Sequence, residues 1–171
     1  MDFFDACKYG SLDKVISLLD QGADIHANND LALRLSAQNG HLAVVQFLLE
    51  HGANIHADND LALRLSAKNG HLSVVQYLLD QGADIHAEND GTLRLSAENR
   101  HLLVVQYLLK HSAKIGDMSS YPPDIIAFID GFMKKVRKIQ HWWLEISMNP
   151  YHPVGIKLIN QRYDKLFPNL I

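Results

Sequence analysis

The sequence has only one cysteine, Cys7, among its 171 residues. A single cysteine cannot form a disulfide within the chain, which is typical of a protein in a reducing compartment. Long apolar runs are also missing, since the longest uninterrupted stretch, residues 125–129, is far shorter than the roughly 18 residues that a membrane-spanning helix needs. The N-terminal segment lacks the basic start and apolar core of a signal peptide. These absences predict a soluble, intracellular, cytoplasmic protein without a transmembrane segment.

The sequence motifs of common enzymes are missing as well. We find no glycine-rich phosphate loop, no H-E-x-x-H or C-x-x-C motif and no G-x-S-x-G motif. The chain is therefore predicted to be non-catalytic and to need no cofactor or metal ion. Its net charge of −3 is too small to indicate a nucleic-acid partner. The charge is −6 in residues 1–113 and +3 in residues 114–171, which indicates that the two parts differ in role.

A 30-residue repeat occupies most of the chain. Segments 30–59 and 60–89 differ at only 7 of 30 positions, and a third copy begins at Asp90. A more divergent unit precedes them, between Phe3 and Asn29. We therefore predict four repeats, at about residues 1–29, 30–59, 60–89 and 90–115.

Each repeat has the pattern helix, turn, helix and loop. In the second repeat Asp30 is the predicted N-cap, and Asn39 and Gly40 end the first helix because both tolerate left-handed backbone. His41 begins a second helix, whose apolar stripe stops at Gly52. Helices this short are marginal in isolation, so their apolar faces must be buried against neighbouring repeats. The expected architecture is a solenoid.

The string GHLAVVQFLLEHGANI at residues 40–55, which recurs with few changes at residues 70–85, resembles the ankyrin repeat. The resemblance implies a mainly α fold, a helix-turn-helix solenoid of four ankyrin-type repeats with a C-terminal helical cap. The ankyrin period is 33 residues, whereas the period here is 30. The missing residues lie between Ala57 and Leu61, so the β-hairpin finger of the family is expected to be reduced or absent. At Cys7 the family often has a small residue, which predicts a buried thiol rather than a nucleophile.

The 30-residue repeat is similar to those in ankyrin proteins of giant DNA viruses of amoebae. By that resemblance the chain is expected to be a viral protein that binds a host protein in the host-cell cytoplasm. We also expect the chain to be a monomer. A symmetric assembly module, which would self-associate through an exposed terminal repeat, is a further alternative.

The repeats differ in charge at a few positions within an otherwise constant framework. One such set, on the first helix, is Gln38, Lys68 and Glu98. The family resemblance implies that turn tips and first-helix surfaces line a concave face that binds a partner protein. Free variation of a solvent-exposed surface would give the same pattern and is the alternative explanation. The candidate partner-binding residues are Asn28, Asn29, Asp30, Gln38, Asp58, Asn59, Asp60, Lys68, Glu88, Asn89, Asp90 and Glu98.

Histidine and arginine also recur at fixed repeat positions. Equivalent histidines of adjacent repeats should lie about 8–10 Å apart, whereas zinc needs all of its ligand atoms about 2 Å from one centre. His26, His41 and their equivalents are therefore predicted to make structural hydrogen bonds. Each of Arg34, Arg64 and Arg94 follows an aspartate by four residues, which predicts local Arg–Asp pairing on one helix face. A basic stripe that binds phosphate or carboxylate groups is the alternative interpretation of these arginines.

Residues 116–171 are predicted to be a helical extension packed on the last repeat. In that repeat Arg100 replaces the turn glycine and Leu103 adds an apolar side chain, which indicates that something covers it. An apolar stripe predicts one long helix at about residues 123–146. A second helix is predicted at about residues 156–166.

The long helix supports a second functional interpretation, an adaptor that binds a calmodulin-like protein or an anionic surface. Basic residues interleave with apolar anchors at relative positions 1, 5, 8 and 14, a pattern that resembles a calmodulin target. A capping helix needs the same stripe, so the discriminating property is the exposure of Trp142 and Trp143. The residues of this alternative site are Ile129, Met133, Lys134, Lys135, Val136, Arg137, Lys138 and Trp142.

Overall fold

The structure is a computed structural model that describes residues 1–111, 113, 115 and 121–147, with the side chains of 139–147 excepted. Over these residues the chain forms helices and no strands. The helices are α1 (Phe3–Lys8), α2 (Leu12–Asp20), α3 (Ala27–Gln38), α4 (Leu42–Glu50), α5 (Ala57–Lys68), α6 (Leu72–Asp80), α7 (Ala87–Glu98), α8 (Leu102–Lys110) and α9 (Pro123–Ser147). The predicted mainly α repeat architecture with a C-terminal helix is confirmed.

The helices pack in pairs, one pair for each repeat. The first helices α1, α3, α5 and α7 also pack side by side, whereas the second helices of adjacent repeats contact one another much less. Equivalent leucines at most 1% exposed form the core, namely Leu33, Leu63 and Leu93 from the first helices and Leu48, Leu78 and Leu108 from the second. Because the second, third and fourth repeats bury the same side chains, these framework positions stay constant along that part of the sequence.

A compact turn replaces the β-hairpin finger. The second to fourth residues of α3, α5 and α7 have left-handed backbone, with φ between 54° and 59°. Right-handed helix begins only after them, at Leu31, Leu61 and Gly91. Asparagine and aspartate, which tolerate this conformation better than most residues, fill all these positions except Glu88. The expected reduction of the finger is confirmed.

Glycine ends both helices of the second repeat, as the sequence predicts. Gly40 follows α3 with φ 76°, and Gly52 follows α4 with φ 94°. Side chains rarely adopt such angles, so glycine is the natural residue at both turns. In the last repeat Arg100 makes the first of these turns with φ 61°.

The chain divides into two compact units, Met1–Ile126 and Ala127–Ile171. The first unit contains the four repeats and the start of α9; Ile125 in α9 and Tyr121, just before it, are buried. The expectation that Leu103 is covered is wrong, since this side chain is 69% exposed. Its equivalents in the second and third repeats, an alanine and a serine, are exposed as well, so this position of the second helix faces solvent in three successive repeats.

Two further expectations concern the tail. The predicted helix at residues 156–166 lies outside the described residues, as do the side chains of Trp142 and Trp143. The packing of residues 116–171 on the last repeat therefore stays a prediction. Among the described residues, no helix is both long and apolar enough to cross a membrane.

Candidate functional site

In two repeats, a buried aspartate at the start of the first helix binds the loop that leads to the next repeat. Asp30 is 4% exposed, and its carboxylate accepts hydrogen bonds from Nδ1 of His26 at 3.1 Å and from the backbone N–H of Asn54, in the next loop, at 2.8 Å. Asp60 is 5% exposed and accepts the equivalent backbone bond from Asp84 at 2.9 Å. These carboxylates stabilise the junction between one repeat and the next.

Two predictions for these aspartates are therefore wrong. Asp30 uses its carboxylate to bind the loop that leads to the next repeat rather than to cap its own helix. Asp30 and Asp60 are also too buried to contact a partner, so they leave the candidate surface. Asp90 is more accessible, with 15% of its side chain exposed and Oδ1 2.7 Å from Nδ1 of His86. The recurrence of aspartate in every repeat was the available signal, because it indicates framework rather than a variable contact.

Arginine side chains bind the tips, which are the left-handed turns at residues 28–30, 58–60 and 88–90. Arg34 donates to the carbonyl oxygen of Asn28, and its Nη1 lies 3.3 Å from a carboxylate oxygen of Asp58 in the next tip. Arg64 donates to the carbonyl oxygens of Asp58 and Asn59. The predicted pairing of these two arginines with the aspartates four residues earlier is wrong, because those carboxylates are already engaged in the junction.

The tips form an exposed polar edge. Six of the candidate residues are exposed there, namely Asn28, Asn29, Asp58, Asn59, Glu88 and Asn89. The amide of Asn59 donates to the carboxylate of Glu88 in the next tip at 2.7 Å. Together with the arginine contacts, this bond links successive tips, so the edge is ordered in advance of any partner.

A second histidine ladder fixes the ends of the first helices. In each case Nε2 donates to the carbonyl oxygen of the last residue of the preceding repeat's first helix, because a carbonyl only accepts. The pairs are His41 with Lys8 at 2.8 Å, His71 with Gln38 at 3.0 Å and His101 with Lys68 at 2.8 Å. The predicted structural role of the histidines is confirmed. Within the part of the chain that is described, no group of three or more His, Cys, Asp or Glu residues could hold a metal ion.

The turn glycines make room for these histidines. A Cβ atom at Gly10, Gly40 or Gly70 would lie 2.4–2.6 Å from Nδ1 of the next repeat's histidine. Arg100 stands at this position in the fourth repeat, which no fifth repeat follows. Its Nε atom lies 3.4 Å from Oδ1 of Asp124 instead. The departure of the last repeat from the glycine pattern therefore has a steric explanation.

The variable residues Gln38, Lys68 and Glu98 lie at equivalent ends of adjacent first helices. Lys68 is exposed, and the other two are partly exposed. Lys8 is the fourth member of this row and was missed by sequence reasoning, because the first repeat diverges before residue 11. Counting back 30 residues from Gln38 would have found it.

Only some of the side chains in the alternative site on α9 are exposed to solvent. Its basic residues at positions 134, 135, 137 and 138 are exposed, and Met133 and Val136 are partly exposed. Ile129, the first predicted apolar anchor, is 1% exposed and so belongs to the buried side of the helix. The side chain of Trp142 lies outside the described residues.

Cys7 is fully buried in the first repeat, as predicted. Burial, with a smaller contribution from the negative charge of Asp2, raises the pKa of its thiol from 9.0 to about 12. Three pKa units lower the thiolate fraction at pH 7 by about 1,000-fold. We expect the folded chain to react with 5,5′-dithiobis(2-nitrobenzoic acid) at least about 1,000-fold more slowly than the urea-unfolded chain.

The raised pKa also sets a pH dependence. The unfolded thiol ionises as pH rises through 9, whereas the folded thiol keeps its proton until about pH 12. The free energy of unfolding should therefore fall progressively above pH 9, and a Cys7→Ala variant should show less of this fall. Equal thiol reactivity with and without urea would contradict the buried, neutral thiol.

Paired helices that stack on one shared framework define a helical-repeat solenoid. Residues 3–89 and 61–119 match the family model for ankyrin repeats in three copies. The chain belongs to the ankyrin repeat family. No curated protein matches the sequence.

Proposed function

We propose that the chain is a non-catalytic protein–protein interaction module that binds a partner through the concave surface formed by its first helices and tips. One observation carries the proposal. The contacts that build the junctions recur from repeat to repeat, whereas the exposed ends of the same helices carry Lys8, Gln38, Lys68 and Glu98. Constant scaffolding beneath a varied surface suits recognition of one particular partner.

The order of the surface supports the same proposal. The backbone of Gln38 accepts hydrogen bonds from the His71 ring and from the amide of Asn69 at 2.7 Å. The tips are tied to one another by Arg34 and Asn59. A surface that is already ordered loses little conformational entropy when it binds.

A triple variant tests this proposal. Replacing Gln38, Lys68 and Glu98 by alanine should weaken capture of the partner about tenfold or more. The melting temperature should change little, because the three side chains lie outside the apolar core. Capture from host-cell lysate, quantified for each bound protein by mass spectrometry, gives the first readout, and calorimetry gives the second. Unchanged capture would indicate free variation of a solvent-exposed surface.

The basic face of α9 is the second candidate, because four exposed cations fall within residues 134–138. Its partner would be a calmodulin-like protein or an anionic surface. The same capture experiment includes a variant with alanine at Lys134, Lys135, Arg137 and Lys138. Loss of the partner in this variant alone would assign binding to α9 and leave the repeats as its scaffold.

The 30-residue period supports a proposal for the origin of the protein and for the compartment in which it acts. Its likeness to the shortened repeats of giant viruses supports a viral origin and a host protein as partner, met in the host-cell cytoplasm. We propose that the chain works as a monomer. Light scattering that rises with concentration would favour the self-assembling alternative.

A further inference from the structure

Charge is segregated between the layers of the repeats. The first-helix segments, residues 3–10, 31–40, 61–70 and 91–100, hold two acidic residues and six basic ones, a net charge of +4. The rest of residues 1–113 holds twelve acidic and two basic residues, a net charge of −10. Because the first helices pack side by side, their cations gather in one layer of an otherwise acidic unit. These cations are Lys8, Arg34, Arg64, Lys68, Arg94 and Arg100.

The contacts of these cations decide which of them can meet a partner. Lys8 and Lys68 are exposed. Arg94 and Arg100 lie 3.4 Å from carboxylates, in a partly exposed and a largely exposed pair respectively, and surface pairs of this kind contribute about 0–1 kcal/mol. An acidic partner can displace pairs this weak. The exposed acids of the neighbouring tips, Asp58 and Glu88, are already engaged by Arg34 and Asn59.

An aromatic residue lies at the end of the same row. Tyr9 is 61% exposed and follows Lys8, whose Nζ atom lies 5.3 Å from the centre of the ring, within range of a cation–π interaction. The other repeats have asparagine at this position, and in two of them, Asn39 and Asn99, the amide donates to a carbonyl of its own helix. Tyr9 instead presents a ring to solvent, and tyrosine is enriched among the residues that dominate binding energy.

From these observations we infer that the partner binds as an extended acidic polypeptide segment that crosses the first helices. Its carboxylates approach Lys8 and Lys68, and an apolar or aromatic side chain packs on Tyr9. This inference rests on the proposed function and names the chemistry of its partner. A nucleic acid fits less well, since the charge of −10 on the remainder of the repeats would repel its phosphates.

The repeat geometry sets the spacing of the carboxylates. Lys8 and Lys68 belong to the first and third repeats, so about 16–20 Å separates them if adjacent helices lie about 8–10 Å apart. An extended chain covers about 3.3 Å per residue. The two carboxylates should therefore lie about five or six residues apart in the bound segment.

Selection from a display library of random 12-residue peptides on the immobilised full chain tests the inference. The enriched peptides should be acidic, with pairs of Asp or Glu about five or six residues apart. Affinities of labelled peptides are then measured by fluorescence anisotropy. The Lys8→Glu/Lys68→Glu variant and the Tyr9→Ala variant should each bind about tenfold more weakly or worse. The matched control, Lys14→Glu/Lys110→Glu, reverses two exposed lysines of the second helices and should leave affinity within about twofold.

The outcomes separate this inference from the function on which it rests. The selection could enrich neutral or basic peptides that bind the Gln38/Lys68/Glu98 triple-alanine variant more weakly. That result would overturn the inference of an acidic partner, but it would leave the proposed function standing. Peptides insensitive to every first-helix change, or no enrichment at all, would count against both. Tighter binding of a single-stranded oligonucleotide than of the acidic peptides would replace the acidic segment with a general polyanion.

Discussion

Replacing Gly40 by alanine is expected to lower the free energy of unfolding by about 3 kcal/mol, although it adds one methyl group. Left-handed backbone with a side chain costs roughly 1–2 kcal/mol. The new Cβ atom would also lie 2.6 Å from Nδ1 of His71, so the ring must move. Its movement breaks the bond to the Gln38 carbonyl, a loss of about 1 kcal/mol or more. Urea unfolding followed by circular dichroism measures the change.

Gly52→Ala is the matched control. Gly52 has φ 94°, yet nothing lies within 4 Å of a Cβ atom placed there. Its replacement should therefore cost only the backbone strain, about 1–2 kcal/mol. The His71→Ala background adds a double-mutant cycle, in which Gly40→Ala should cost no more than Gly52→Ala. An equal cost of Gly40→Ala with and without the imidazole would show that the clash is not the cause.

The sequence was most informative where one repeat contains the whole reason for a feature. The apolar stripe around Leu48, the turn at Gly40 and the helix start at His41 depend on neighbouring residues, and all three lie where the pattern predicts them. The 30-residue period likewise predicted the loss of the finger. These features repeat, so each copy supported the interpretation of the others.

The sequence was misleading where a contact joins a first helix to the loop or tip that follows it, far away along the chain. Arg34 meets Asp58, and Asp30 meets the N–H of Asn54, both across 24 residues. The rule that pairs residues four apart on a helix considers one helix alone and so selected Asp30 for Arg34. The left-handed residues 28–30, which precede the helix proper, place Asp30 at the junction instead. The residue pattern of a single helix does not contain this information.

The sequence predicted where the candidate surface lies but not which residues belong to it. Charge variation identified Gln38, Lys68 and Glu98, which lie together at equivalent helix ends. It also selected the tips as a block, although Asp30 and Asp60 are buried beneath exposed neighbours. In each three-residue turn the first two side chains are exposed, whereas the third is buried or partly buried. The backbone geometry is therefore needed to distinguish a structural carboxylate from one that a partner can contact.

A second large loss of stability is expected when the buried carboxylate of Asp60 is removed. Asp60→Ala should lower the free energy of unfolding by about 2–3 kcal/mol, because it removes a buried charged acceptor and leaves the N–H of Asp84 without its partner. His56, whose Nδ1 lies 3.1 Å from the same carboxylate, would lose its contact as well. The loss loosens the junction between the third and fourth repeats, so urea unfolding should begin at a lower concentration.

Asp58→Ala, two residues away, is the control for this prediction. Asp58 is exposed, and its carboxylate lies 3.3 Å from Nη1 of the partly buried Arg34, which keeps its bond to the Asn28 carbonyl; the replacement should therefore cost only about 1 kcal/mol. If the two aspartates have different roles, Asp58→Ala should affect partner binding more than stability, and Asp60→Ala should chiefly affect stability. Equal stability losses at both positions would remove the distinction between an exposed tip carboxylate and a buried one that stabilises the junction between repeats.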